Sequence, residues 1–291
     1  MNAGAVRPGQ LEWTRYRRLP DLGAEAMAAR FVAHVYHRHS HDTYSFGVTQ
    51  AGAQAFWCRG ASHLSTTGLV MAFNPEDPHD GRAGEPDGFT YQMVHLDPAV
   101  VHQVLTQTGA ARPGLPLFRV PVIHHPPLAR LIRRTANAVL AGDDPLTAQE
   151  ALDALVLAAC RHIPTVPRPG RTADAGIEAV RDLLHAADPE PVTTADLARV
   201  AGRSRFQIYR QFRDRYGLPP SAYLRLLRLR AARQALAAGE PVAVAATAAG
   251  FADQAHLTRW FRRSYGVTPA AFQLAHQPPP GNNPVAERVV A

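Results

Sequence analysis

Two sets of residues in this 291-residue chain carry chemistry by their type and spacing. One is the run His37-Arg38-His39-Ser40-His41-Asp42, with His79 downstream. Imidazoles two residues apart on a strand share a face, and His79 from a second strand could join them around a metal. The other set is a pattern written twice. It reads Ala201-Gly202, Arg210, Phe212, Tyr216-Gly217, Pro220 and Tyr223. It then reads Ala249-Gly250, Arg259, Phe261, Tyr265-Gly266, Pro269 and Phe272. From the Arg onward each pair is 49 residues apart, and the Ala-Gly pairs are 48 apart, so the second copy holds one extra residue between turn and helix. A repeat of this size is one supersecondary unit used twice. Here the unit reads as a helix-turn-helix, and two in tandem predict a chain that reads two stretches of duplex DNA.

The elements that must position these residues can be read locally. In the first copy, 193–196 opens a helix with a capping hydroxyl. Gly202 ends that helix and supplies the permissive backbone of the turn, and Ser204 is placed to cap the next. On that second helix Ile208 and Phe212 pack, while Arg205, Phe206, Tyr209, Arg210 and Arg213 cluster opposite. In the second copy, 242–249 leads to Gly250, with Asp253 as the cap. Leu257, Phe261 and Trp260 pack, and Gln254, Ala255, Thr258, Arg259 and Arg262 face outward. A long helix over 221–238 joins the copies. Modules roughly 34 Å apart would enter successive major grooves.

Charge agrees with this. The net charge is +7, carried by 31 Arg with no Lys. Residues 174–276 hold 14 Arg against 9 Asp and Glu, and 204–233 hold eight Arg against one Asp. Such a stripe is the footprint of a phosphate-binding surface. No apolar run reaches membrane-spanning length and the first residues lack a signal-peptide core, which predicts a cytoplasmic protein without a membrane partner. Cys58 and Cys160 fit neither a disulfide framework nor a metal spacing and read as buried thiols. There is no phosphate-binding Gly-rich loop and no spaced nucleophile–base pair, so catalysis finds no support.

Residues 31–97 read as short strands bounded by Gly, Pro, Asn and Asp, the mark of an antiparallel barrel or sandwich. Residues 128–163 read as two amphipathic helices split at 142–145. The Pro-rich stretch 164–173 is a linker, and 277–291 lacks the composition of a core and reads as disordered. The fold class is thus α+β, with an all-α C-terminal domain at 174–276.

The residues 250–273 and 223–236 resemble the DNA-binding domain of the AraC/XylS family of bacterial transcription regulators. The departure is Leu257, where that family usually carries Phe. The resemblance implies base contacts from Phe206, Tyr209, Arg210, Gln254, Ala255 and Arg259. It implies phosphate contacts from Arg203, Ser204, Arg205, Arg213, Arg262 and Arg263. The region 1–127 is similar to the cupin-like effector-binding barrel of such regulators, and the helical hairpin 128–163 would then dimerise the chain. His39, His41, Tyr44, Phe46, Phe56, Trp57 and His79 offer aromatic walls and polar handles for a small-molecule effector. Metal-binding cupins usually place a Glu shortly after the His-x-His pair. Here the positions are Thr43, Tyr44, Ser45 and Phe46, so no metal and no cofactor is expected. The function implied is effector-controlled transcription regulation, as an activator that engages RNA polymerase. The competing reading is a metal-dependent cupin enzyme fused to a DNA-binding module.

Overall fold

The computed structural model describes residues 12–109, 115–142, 144–166, 174–186, 192–275 and 288–290. The chain divides into two compact units, Met1–Arg168 with Pro278–Ala291, and Pro169–Gln277.

The first unit begins with β1 (Glu12–Leu19), β2 (Ala24–Phe31), β3 (Tyr36–His39), β4 (Tyr44–Cys58) and β5 (Ala61–Thr66). It continues with β6 (Val70–Phe73), β7 (His79–Ala83), β8 (Phe89–Leu96), α1 (Pro98–Gln107), β9 (Leu117–Phe118) and β10 (Val122–Ile123). Two long helices follow, α2 (Pro126–Ala141) and α3 (Pro145–His162), then β11 (Thr165–Val166). The main sheet runs β10-β6-β4-β8-β2-β1 and ends on a short strand, β12 (Arg288–Val290). This is the antiparallel sheet domain expected from the sequence, with the sheet open as a cup because its ends do not meet. The tail expected to lack structure contributes β12, paired with β1; residues 276–287 lie outside the described residues. The linker expected from 164 starts with β11, which pairs with β9.

One strand organises the cup. The first part of β4 pairs with β6 and β8, and its second part with β5 and β7. The register shifts between Thr49 and Ala51, and Gly52 follows at φ 69°. A Cβ on Gly52 would sit 2.1 Å from the Gly88 carbonyl oxygen, so the bend requires glycine.

Strand alternation gives the sheet two faces. Ala24, Ala26, Tyr44, Phe46, Val94 and Leu96 face a core shared with α2 and α3. The small alanines of β2 let α2 cross the sheet, touching β1, β2, β4 and β8. Full burial of Ile132 and Leu152 there contributes about 1.5–3 kcal/mol each. The opposite face carries Ser45, Gly47, Met71, Met93 and His95, because these alternate with the residues just named.

The second unit is helical: α4 (Ala175–Ala186), α5 (Thr194–Ala201), α6 (Arg205–Tyr216), α7 (Pro220–Ala237), α8 (Val242–Ala248), α9 (Gln254–Tyr265) and α10 (Pro269–Leu274). The first half of α7 gives Tyr223 and Leu226 to a core with Ile177, Leu197, Ile208 and Phe212. Its second half buries Leu229, Ala232 and Leu236 and packs against α8, α9 and α10. One helix therefore belongs to both cores.

Candidate functional site

The first helix-turn-helix is built by its caps. Thr193 accepts the Asp196 amide, and the Asp196 carboxylate accepts the Thr193 amide in return. The Thr193 hydroxyl and the Arg199 guanidinium hold that carboxyl at about 2. Gly202 closes α5 at φ 61°, the left-handed conformation the turn requires. Ser204 then caps α6 and forms a second reciprocal box with Gln207. With Ile208 and Phe212 fully buried, the opposite side of α6 faces solvent. Phe206 is 73% exposed, Tyr209 is exposed beside it, and Arg205, Arg210 and Arg213 are exposed around them. Arg205 lies 4.7 Å over the Phe206 ring.

The second module repeats this with weaker fastening. Pro241 precedes α8 without a side-chain cap. Asp253 accepts the His256 amide at 2.6 Å to start α9. Leu257 and Phe261 are fully buried, and Gln254, Ala255, Arg259, Arg262 and Arg263 are exposed. Trp260 is half-buried, donating Nε1–H to His256 Nε2 at 3.0 Å beneath Arg225.

Two residues expected at phosphates have other partners. Arg203 donates to the Asp174 carboxylate at 2.7 Å and to the Gln211 amide oxygen at 2.8 Å. It ties the start of α4 to α6 and is half-buried. Ser204 spends its hydroxyl on Gln207, whose side-chain oxygen accepts it at 3.0 Å.

The N-terminal residues sort differently from the expectation. His39 ends β3 directly opposite His79, which starts β7. With His41 they form a group whose ligand nitrogens lie within 4.8 Å of one another. His37 does not join them. The β3–β7 register shifts between Tyr36 and His39, leaving the His37 ring exposed, while its carbonyl accepts His39 Nδ1–H at 2.6 Å. His79 Nδ1–H likewise donates to the Asp77 carbonyl at 2.8 Å. Burial pushes His39 down to about 3 and His79 down to about 4, so both are neutral at physiological pH. Phe73 stacks on His79 at 4.2 Å, and Phe56 meets Phe73 edge-on.

Tyr44 and Phe46 do not line this site. They point to the helix-covered face, where Tyr44 donates to the Pro116 carbonyl and both rings pack on Phe118. Trp57 is half-buried under the Arg38 guanidinium, 3.6 Å away. Sequence reasoning missed His95, whose ring lies 4.8 Å from that of His41 and whose Nδ1 meets Ser45 Oγ at 2.8 Å. It also missed a row across the cup, Met27, Met93, Gly47 and Met71, each directly opposite the next on neighbouring strands. Only the strand pairing reveals either feature.

The comparisons with known proteins agree with this architecture. The model of the AraC-like ligand binding domain matches residues 21–156, and that of a helix-turn-helix domain matches residues 197–275. An uncharacterised HTH-type transcriptional regulator of Bacillus subtilis, YbfI, is 25% identical over 245 residues, covering 82% of this chain and 87% of its own. An apo ToxT variant from Vibrio cholerae shares the fold, with a TM-score of 0.58 over 90% of this chain and 99% of that one at 10% identity. Wild-type ToxT bound to an unsaturated fatty acid matches with a TM-score of 0.51 at 10% identity, over 91% and 95% of the two chains. The chain belongs to the AraC family and is a DNA-binding transcription regulator with a ligand-binding N-terminal domain.

Proposed function

We propose that α6 and α9 are the reading helices, and that an amphipathic small molecule on the cup face controls them. Phe206, Tyr209 and Arg210 from α6, and Gln254, Ala255 and Arg259 from α9, meet base edges. Arg205, Arg213, Arg262 and Arg263 meet phosphates, with Ser204 at the helix start. All of these are exposed beside a fully packed underside, the division a reading helix needs. Arg203 is left out because its Nη1 is held by Asp174 and Gln211.

The observation that carries the effector reading is the methionine row. Met27, Met71 and Met93 face the same side as His95 and the imidazole group. A Cβ on Gly47 would lie 2.7–2.9 Å from atoms of Met93 and Met71, so their thioethers lie across the glycine. Flexible, polarisable side chains make an adaptable apolar wall, and the imidazoles give it a polar end. ToxT bound to an unsaturated fatty acid offers an example of a ligand with that shape. The test is a thermal-shift screen of amphipathic acids and aromatic metabolites on the full chain, read together with DNA binding. A hit that loses its effect in a Met27→Ala/Met93→Ala variant still able to bind DNA supports the site. A hit unaffected by that variant places the effector elsewhere.

The N-terminal unit is read as a sensor and not a catalyst, as in the regulators it resembles. The chain works as a homodimer through the hairpin of α2 and α3, residues 128–163. A two-fold pair would read a two-fold operator. As an activator it would then engage RNA polymerase, and it acts in the cytoplasm. No helix among the described residues is long and apolar enough to cross a membrane.

A further inference from the structure

We infer that the N-terminal unit holds a divalent late first-row metal ion, of which zinc is the type, on the Nε2 atoms of His39, His41 and His79. This goes beyond the effector reading and stands without it. The argument begins with proton placement. His39 and His79 each commit Nδ1–H to a backbone carbonyl. That fixes one tautomer in both rings and leaves Nε2 of each as an acceptor, not a donor. Metal-bound histidines are oriented by this same arrangement, the far ring nitrogen donating to a carbonyl or carboxylate. Two acceptor nitrogens in one buried group, with the His41 nitrogen beside them, present lone pairs that suit a cation.

Geometry fits as well. His39 Nε2 and His41 Nε2 are 3.1 Å apart. Two nitrogens bound to zinc at its usual bond length sit about 3.4 Å apart in a tetrahedron. The three ligand nitrogens lie within 4.8 Å of one another, so the set closes with a shift of the rings of about 1 Å. In the metal-free cluster, His39 Nε2 can only accept, so His41 donates its Nε2–H across that 3.1 Å. On binding, His41 releases that proton or carries it on Nδ1.

The carboxylate expected of a metal-binding cupin is absent from positions 43–46. His95 from β8 lies against the His41 ring, outside the three-histidine group, and adds imidazole character to its surroundings. An all-imidazole set selects zinc, copper, nickel or iron over calcium and magnesium.

The experiment is cobalt(II) titration of the full chain after treatment with a chelator, read by visible ligand-field absorption and by metal content. The expected result is one cobalt per chain with bands of a nitrogen-ligated ion, displaced by zinc. Half-exposed His41→Ala should lose the bands, as should His79→Ala, while both variants still bind operator DNA. His37→Ala, which removes an exposed ring but keeps the carbonyl, should retain them. Absence of stoichiometric uptake overturns the site. So does uptake that survives His41→Ala and His79→Ala, or is lost in His37→Ala, because the ion then sits on other histidines.

Discussion

The two helix-turn-helix modules share a plan and differ in what they show and in how firmly they are fastened. α6 exposes two aromatic rings among arginines, whereas α9 exposes Gln254, Ala255 and Arg259 and keeps Trp260 half-buried. Both helices of the first module carry reciprocal capping boxes. In the second module α8 has no side-chain cap and α9 has a single accepted amide. A repeat therefore keeps its packing pattern while its reading face diverges. Cores tolerate little change in volume, whereas an exposed face is constrained only by what it binds. A single protomer would then read an asymmetric site.

The comparison can be broken most severely at its shared positions. Phe212→Ala and Phe261→Ala each empty a fully buried site and should cost about 3–5 kcal/mol. Urea unfolding of the full chain checks this. If Phe261→Ala creates a separate early transition, the second module melts alone. If both variants shift one transition, the helical unit is a single cooperative body.

A smaller effect sharpens the difference in reading. Arg210→Ala and Arg259→Ala should each lose about 1–3 kcal/mol of discrimination, at different positions of the operator. Binding to a series of single-base operator variants measures it, and equal weakening on every sequence would remove these residues from base reading.

Phosphate contacts come next. Arg213→Ala and Arg262→Ala should weaken binding on all sequences and reduce the salt slope by about one. Arg203→Ala should leave that slope unchanged and lower stability by no more than about 1 kcal/mol, since its ion pair is partly exposed. Titrations at several salt concentrations separate the two behaviours. The smallest effect concerns the caps. Ser204→Ala should cost about 1 kcal/mol, and Asp253→Ala less, because only Ser204 belongs to a reciprocal box. Thermal melts of the two variants compare them.

The helical unit was legible because its signals are local. Caps, glycine turns and the 49-residue repeat lie within short windows, so Ser204, Gly202 and Asp253 could be placed from sequence. The Arg203–Asp174 pair was not legible, because the two lie 29 residues apart and nothing local marks them. In the first unit the decisive contacts are between strands far apart in sequence. Ser45 meets His95 across 50 residues, and periodicity cannot report pairing. β2 was missed for another reason. Its Ala-Glu-Ala-Met-Ala-Ala sequence favours helix, and the burial of its alanines under α2 overrides that preference. Tyr44 and Phe46 lie on the helix-covered face, apart from His39 and His79, because alternation fixes which residues share a face without saying where that face points.

α7 has 18 residues and measures about 27 Å at the usual rise per residue. Since its two halves are anchored in different cores, it acts as a gauge of angular phase as well as of length. Five extra base pairs between the two half-operators would turn one of them about half a revolution round the duplex. The helix has no joint with which to follow, so the bound protomer would have to release one groove or twist the DNA.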